Sequence, residues 1–287
     1  MSLLNQYVRL SRLTVFCTMH QARSLDRQLF QRAAMNAIPP PASVSSTAPA
    51  MSATRAEWCS ALVLAVGLTL VFWGELWQGY GLIGGDLYTY FFPQKTYLVE
   101  CLQHKELPLW NSLVGHGYPF LAESQTGIFY PGHILAYGAT ALAWWDVNTA
   151  YNIIQVAHYV IAFVGAWLYL REIGCAQTAS LLGALVYTYA WFPPRLCLEW
   201  VIIGGAWLPW IIFCAERFLR TGHWRYALSL VALLGNQMLA GHFNLAFITQ
   251  FVLAAFVVAR LWWNPQGLAP HILQRRWFTM CRLGGVL

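Results

Sequence analysis

Between Tyr226 and Ala259 the chain runs for 34 residues without an Asp, Glu, Lys or Arg. As one helix this run would rise about 50 Å, whereas a bilayer core of about 30 Å is crossed by roughly 20 residues. It is therefore read as two crossings broken at Gly241-His242-Phe243-Asn244, where a glycine beside polar side chains permits a turn if that turn reaches the headgroups or a wet cavity. The same character recurs upstream. Trp58–Gly74, prolonged to Trp77, gives a first crossing, and Leu196–Ala215 another. Val147–Leu170 and Ile173–Pro194, separated only by Arg171 and Glu172, read as a helical hairpin. Charged residues make up 10% of the chain against roughly 25% in a soluble domain. The fold class expected is an all-α polytopic membrane protein with about six transmembrane helices.

A net charge of +6 does not imply nucleic-acid binding here, because the basic residues punctuate apolar runs and form no polar domain. On the six-span map fourteen of the 17 Lys and Arg fall on one side, and Lys95, Lys105 and Arg195 fall on the other. Positive charge is retained in the cytoplasm, so the amino terminus is placed inside and the connection at about 78–146 outside. Within it, Ile128–Trp145 is apolar but short; a crossing there would break the charge parity, so it is read as an interfacial or re-entrant helix anchored by Trp144 and Trp145. Residues 1–50 read as a disordered tail or an upstream extension misread as coding, with Met51 as the start. Arg275-Arg276 before Trp277–Leu287 reads as the flank of a further span, making the chain an N-terminal fragment. Seven scattered cysteines without a C-x-x-C pair are taken as reduced and structural.

The outer connection carries the chemistry-bearing residues. It reads Gly84-Gly85-Asp86-Leu87-Tyr88-Thr89-Tyr90-Phe91-Phe92-Pro93, Glu106-Leu107-Pro108-Leu109-Trp110-Asn111, Gly115-His116-Gly117-Tyr118-Pro119, then Glu123-Ser124-Gln125-Thr126-Gly127 before Phe129-Tyr130-Pro131. This series resembles the YfhO-like bacterial membrane proteins of the GT-C glycosyltransferase superfamily, in their Asp, their P-L-W-N stretch and their S-Q segment ending in Tyr-Pro. Leu239-Ala240-Gly241-His242 matches the start of that family's L-A-G-H-P-Q, with Phe243 and Asn244 in place of its last two residues. The resemblance covers roughly residues 58–263.

What the resemblance implies is a GT-C-like bundle in the bacterial cytoplasmic membrane, its first outer loop packing interfacial helices over the bundle. It implies a polyprenyl-phosphate sugar donor, a cell-envelope acceptor, membrane lipids as surroundings and no nucleic acid. Such a transfer needs a carboxylate to take the acceptor proton and a cation or metal to hold the departing phosphate. A divalent metal is a candidate cofactor, although the histidine spacing gives no metal motif. Asp86 is the candidate base; the plain alternative is a Gly-Gly-Asp turn with a capping Asp. Glu123 is a candidate second carboxylate or metal ligand, or merely a solvated loop Glu. His116, His133 and His242 are candidate phosphate or acceptor contacts, each weighed against an ordinary turn histidine. Arg195 is a candidate phosphate clamp oriented by Glu199 at i,i+4 spacing, or half of an interfacial salt bridge. Tyr88, Tyr90 and Trp110 are candidate sugar-stacking rings, weighed against interfacial anchoring, while Lys95 and Lys105 are taken as solvated charges. The competing readings are a transporter or flippase of a lipid-linked substrate, for which Asn236, Gln237 and His158 are the mid-depth polar residues, and a non-catalytic envelope scaffold.

Overall fold

The computed structural model describes residues 53–78, 86–191, 199–263 and 267–274, with backbone only at 77, 78 and 191. The expected tail at 1–50, Gly84-Gly85, Arg195 and the stretch 275–287 lie outside the described residues. Helix α1, Arg55–Phe72, opens on a capping box: the Thr54 hydroxyl accepts from the Glu57 N–H while the Glu57 carboxylate accepts from the Thr54 N–H. A 3-10 turn, Gly74–Gln78, ends it. The connection resumes as one wide turn, Leu87–Phe91, running into α2, Phe92–Gln103. Helix α3, Pro131–Ala141, starts on a proline whose missing N–H has no partner to lose at that position, and its 11 residues are too few to cross a bilayer.

The hairpin comes next. Helix α4, Val147–Glu172, is started by Asp146, whose carboxylate accepts from the Thr149 N–H, and α5, Gln177–Trp191, follows after a four-residue turn. Helices α6, Glu199–Gly205, and α7, Leu208–Thr221, form one bent rod. Pro209 causes the bend, having no N–H to offer the fourth carbonyl behind it, that of Gly205. The Tyr187 hydroxyl of α5 donates to that carbonyl at 2.9 Å, and the Gln237 amide donates to the Gly204 carbonyl at 2.8 Å. The long apolar run splits where its sequence suggests, into α8, Trp224–Leu239, and α9, Phe243–Trp262, around Gly241 at φ +114°.

Among the described residues four segments are long and apolar enough to cross a membrane: α1, α4, α6 with α7, and α9. Helices α5 and α8, at 15 and 16 residues, are shorter than these but run alongside them. Helix α4 is the central post, packed by α1, α5, α6 and α7. By contrast α1 and α9 leave most of their apolar surface uncovered, Val63 being 70% and Phe251 62% exposed. Apolar faces of that length are stable against lipid and not against water.

Ion pairs tie one end of these helices together. Arg171 meets Glu57 at 2.7 Å (α4 to α1), Arg217 meets Glu172 at 3.1 Å (α7 to α4), and Glu216 takes both Arg220 at 2.5 Å and Arg260 of α9 at 2.7 Å. The start of α1 and the ends of α4, α7 and α9 therefore lie at the same end. At the opposite end the connection between α1 and α4 shares a core with the bundle: Leu87, Phe91, Leu98, Phe120, Tyr130 and Tyr137 join Tyr151 and Ile154 of α4, and Ile202 and Ile203 of α6. This connection is a cap. Its Asn111 and Tyr118 form an isolated antiparallel bridge, and no other strand pairing occurs among the described residues.

Candidate functional site

Helix α2 buries Phe91, Gln94, Lys95, Leu98 and Val99, a spacing of three and four that puts Lys95 on the inward face. Lys95 is 1% exposed, which corrects its reading as a solvated loop charge. Its ammonium donates to the Thr126 carbonyl at 2.5 Å and meets Glu199 Oε1, at the start of α6, at 3.1 Å. His133, in the first turn of α3, lies 3.5 Å from the same carboxylate oxygen. The His133 Nδ1–H donates to the Gly127 carbonyl at 2.8 Å, so the neutral ring turns its bare Nε2 toward Glu199. Burial, and then the Lys95 charge, hold the His133 pKa well below its usual value; burial also lowers that of Lys95, against the pull of Glu199. Tyr137 and Tyr151 close the cluster, the Lys95 ammonium standing 6.0 Å from the Tyr137 ring centre. Glu199 thus pairs across the cap with Lys95; the other expected partner, Arg195, lies outside the described residues.

The segments singled out in the sequence meet beside this cluster. A side chain added at Gly241 would stand 3.1 Å from the Gln125 carbonyl, and one added at Gly127 would stand 3.0 Å from the His133 ring and 3.4 Å from the Ala240 carbonyl. The α8–α9 turn therefore seats on Gln125–Gly127. His242 stacks on Trp200 at 4.2 Å and starts α9, its Nδ1 accepting from the Asn244 N–H at 3.3 Å. Glu123 is half-buried, and its carboxylate accepts from the Gln125 N–H at 3.0 Å. Asp86 is exposed at the head of the wide turn, and its own side chain caps nothing. It is nonetheless not isolated: Asp86 and Glu123 both act on the half-buried Tyr90 hydroxyl, whose pKa is raised first by burial and then by these two carboxylates. Both acidic candidates thus belong to the cap. His116, Tyr88 and Trp110 are all exposed on the cap, Tyr88 stacked on Phe92 and the Trp110 backbone carbonyl accepting from the Tyr97 hydroxyl at 2.7 Å.

Sequence reading missed Lys95, Tyr137 and Tyr151. The signal was present for Lys95, four residues after Phe91 and three before Leu98 on one helical face. Nothing in the sequence signals a cavity of about 530 Å³ between α3 and α4, lined by Ala136, Ala139, Ile154, Ala157, Trp144 and Trp145 among others. Its polar end is the Tyr130 hydroxyl, 2.6 Å from His158 Nε2 and accepting from the Trp207 indole N–H at 3.1 Å. Among the described residues no three His, Cys, Asp or Glu side chains come together to hold a metal. The buried carboxylate that would be the best ligand already holds an ammonium. No family model, curated protein or solved structure matches this chain.

Proposed function

We propose that this chain is the membrane-embedded part of a glycosyltransferase of the YfhO-like, GT-C type, moving a sugar from a polyprenyl-phosphate donor to a cell-envelope acceptor. The cap faces outward and the arginine-rich end faces the cytoplasm. The observation that supports the reading is the contact between the cap and the bundle, in which the Gln125–Gly127 segment is the seat of the turn at Ala240 and Gly241. These are the segments on which the family resemblance rests. Asp86, exposed and free of a neighbouring ion pair, takes the acceptor hydroxyl proton. The acceptor oxygen then bonds to the anomeric carbon as the carbon–oxygen bond to phosphate breaks, and the phosphate leaves with the electron pair. Tyr88 and Trp110 offer exposed rings on which the sugar stacks. Lys95, Glu199 and His133 are too deeply buried to meet substrate, and they hold the cap on the bundle.

The test is sugar release from a panel of polyprenyl-phosphate donors by membranes carrying the protein. Asp86→Asn at equal expression is expected to lower turnover at least a hundredfold, the scale of a lost general base. Full turnover by the Asn protein would remove Asp86 as the base. Failure of the wild type to consume any donor, together with movement of a labelled lipid across sealed vesicles, would favour a flippase, for which the cavity ending in Tyr130, His158 and Trp207 is the supporting observation.

A further inference from the structure

The space between α3 and α4 is hollow for an identifiable reason. Gly132, Ala136 and Ala139 recur at i, i+4 and i+7 on α3, opposite Ala157 on α4. Small residues at that spacing ordinarily let two helices approach closely. Here the Trp145 indole donates to the Ala136 carbonyl at 3.1 Å and props the end of α3, leaving the cavity of about 530 Å³. A second space of about 500 Å³ along α8 shares Pro131, Trp207 and Asn236 with it, so the two form one trough. Its mouth is open, since Leu135 is 75% and Trp144 72% exposed. Left empty, such a wall would forfeit dispersion contacts along its whole length, and water gains too few partners on an apolar lining to fill it.

We infer that this trough holds an acyl chain of a resident bilayer lipid, wedged between the cap helix α3 and the bundle. The occupant's chemistry follows from the lining, which among the described residues contains no Lys, Arg, Asp or Glu. A phosphate-bearing sugar donor must bring its phosphate to a cation at the reacting centre, whereas an ordinary phospholipid leaves its headgroup at the interface and inserts only its tail. The polar end is uncharged and already hydrogen-bonded through Tyr130, His158 and Trp207, so it suits a chain terminus that asks for no hydrogen bond. The inference rests on the membrane reading of the chain and is independent of the transfer reaction.

The test reconstitutes the full chain in nanodiscs of phosphatidylcholine doped with a phosphatidylcholine bearing a photoactivatable acyl chain. After illumination, labelled peptides are mapped. Labelling is expected to concentrate on residues 131–161 and to fall several-fold in Ala157→Trp, which fills the mouth at an exposed position, and in Ala139→Phe, which fills the floor. Leu228→Trp, on an exposed face lining neither space, should leave it unchanged. Two outcomes overturn the proposal: uniform labelling of every exposed helix that neither variant alters, and displacement of the label by added polyprenyl phosphate, which would make the trough the donor's. Loss of transfer activity by itself would leave the labelling pattern untouched, so the two readings fail separately.

Discussion

A lysine ammonium is removed from water only where a carboxylate and further acceptors replace its hydration, and Lys95 meets that condition with Glu199 and the Thr126 carbonyl. Breaking one partner of such a pair strands the other. Glu199→Gln is expected to lower stability by about 3–5 kcal/mol, while adding Lys95→Met recovers most of the loss because an apolar side chain has no charge left to bury. Thermal unfolding of the purified protein in detergent, followed through tryptophan fluorescence, measures both. If the double variant were no more stable than Glu199→Gln alone, the pair would not be what holds the cap. Asp86 differs in kind, since its exposed carboxylate caps no helix and joins no ion pair among the described residues, and its substitution should leave melting unchanged.

The elements meet at two turns as much as along their helical faces. Gly241, at φ +114° and against the Gln125 carbonyl, allows the α8–α9 turn to seat on the cap. Gly241→Ala is expected to destabilise by about 1–3 kcal/mol through backbone strain alone, with the approach to Gln125 adding to it. Gly235→Ala, inside α8 with open space around it, should be neutral or stabilising by about 0.5–1 kcal/mol. Equal melting shifts of the same sign would refute the assigned contact. That turn was legible in the sequence, because Gly-His between two apolar runs can end a helix without reference to anything distant. The α4–α5 hairpin was legible for the same local reason. The pairing of Lys95 with Glu199 was not, since a charge looks solvated until its remote partner is known. Nor was the trough, which depends on how small residues of two helices face one another and on the prop supplied by Trp145. The bend between α6 and α7 was not read, Leu196–Ala215 being taken as one crossing; Pro209 carries its signal, but the donor that satisfies the carbonyl it frees comes from α5.

Across the whole molecule charge is sorted between the two ends. One end carries Arg171, Arg217, Arg220 and Arg260 interlocked with Glu57, Glu172 and Glu216; the other carries the cap with the exposed Lys105 and His116. The proposed orientation is checked by single cysteines placed at exposed sites of each end, Lys105→Cys and Arg225→Cys, probed in intact cells with a membrane-impermeant maleimide. Labelling above that of the unsubstituted chain is expected at 105, and at 225 only after the cells are opened. The reverse pattern would invert the molecule and place the cap in the cytoplasm.

The Lys95–Glu199 bond also sets a timetable. When α2 leaves the ribosome its lysine has no counter-ion, because the glutamate that neutralises it is still about a hundred residues from being made, which at elongation rates of roughly 5–20 residues per second is about 5–20 s. During that interval α3, α4 and α5 are synthesised while the cap waits open and hydrated. Only the arrival of α6 supplies the anion that lets it shut. Translation order alone therefore keeps the cap unsealed until α1, α4 and α5 beneath it have been made.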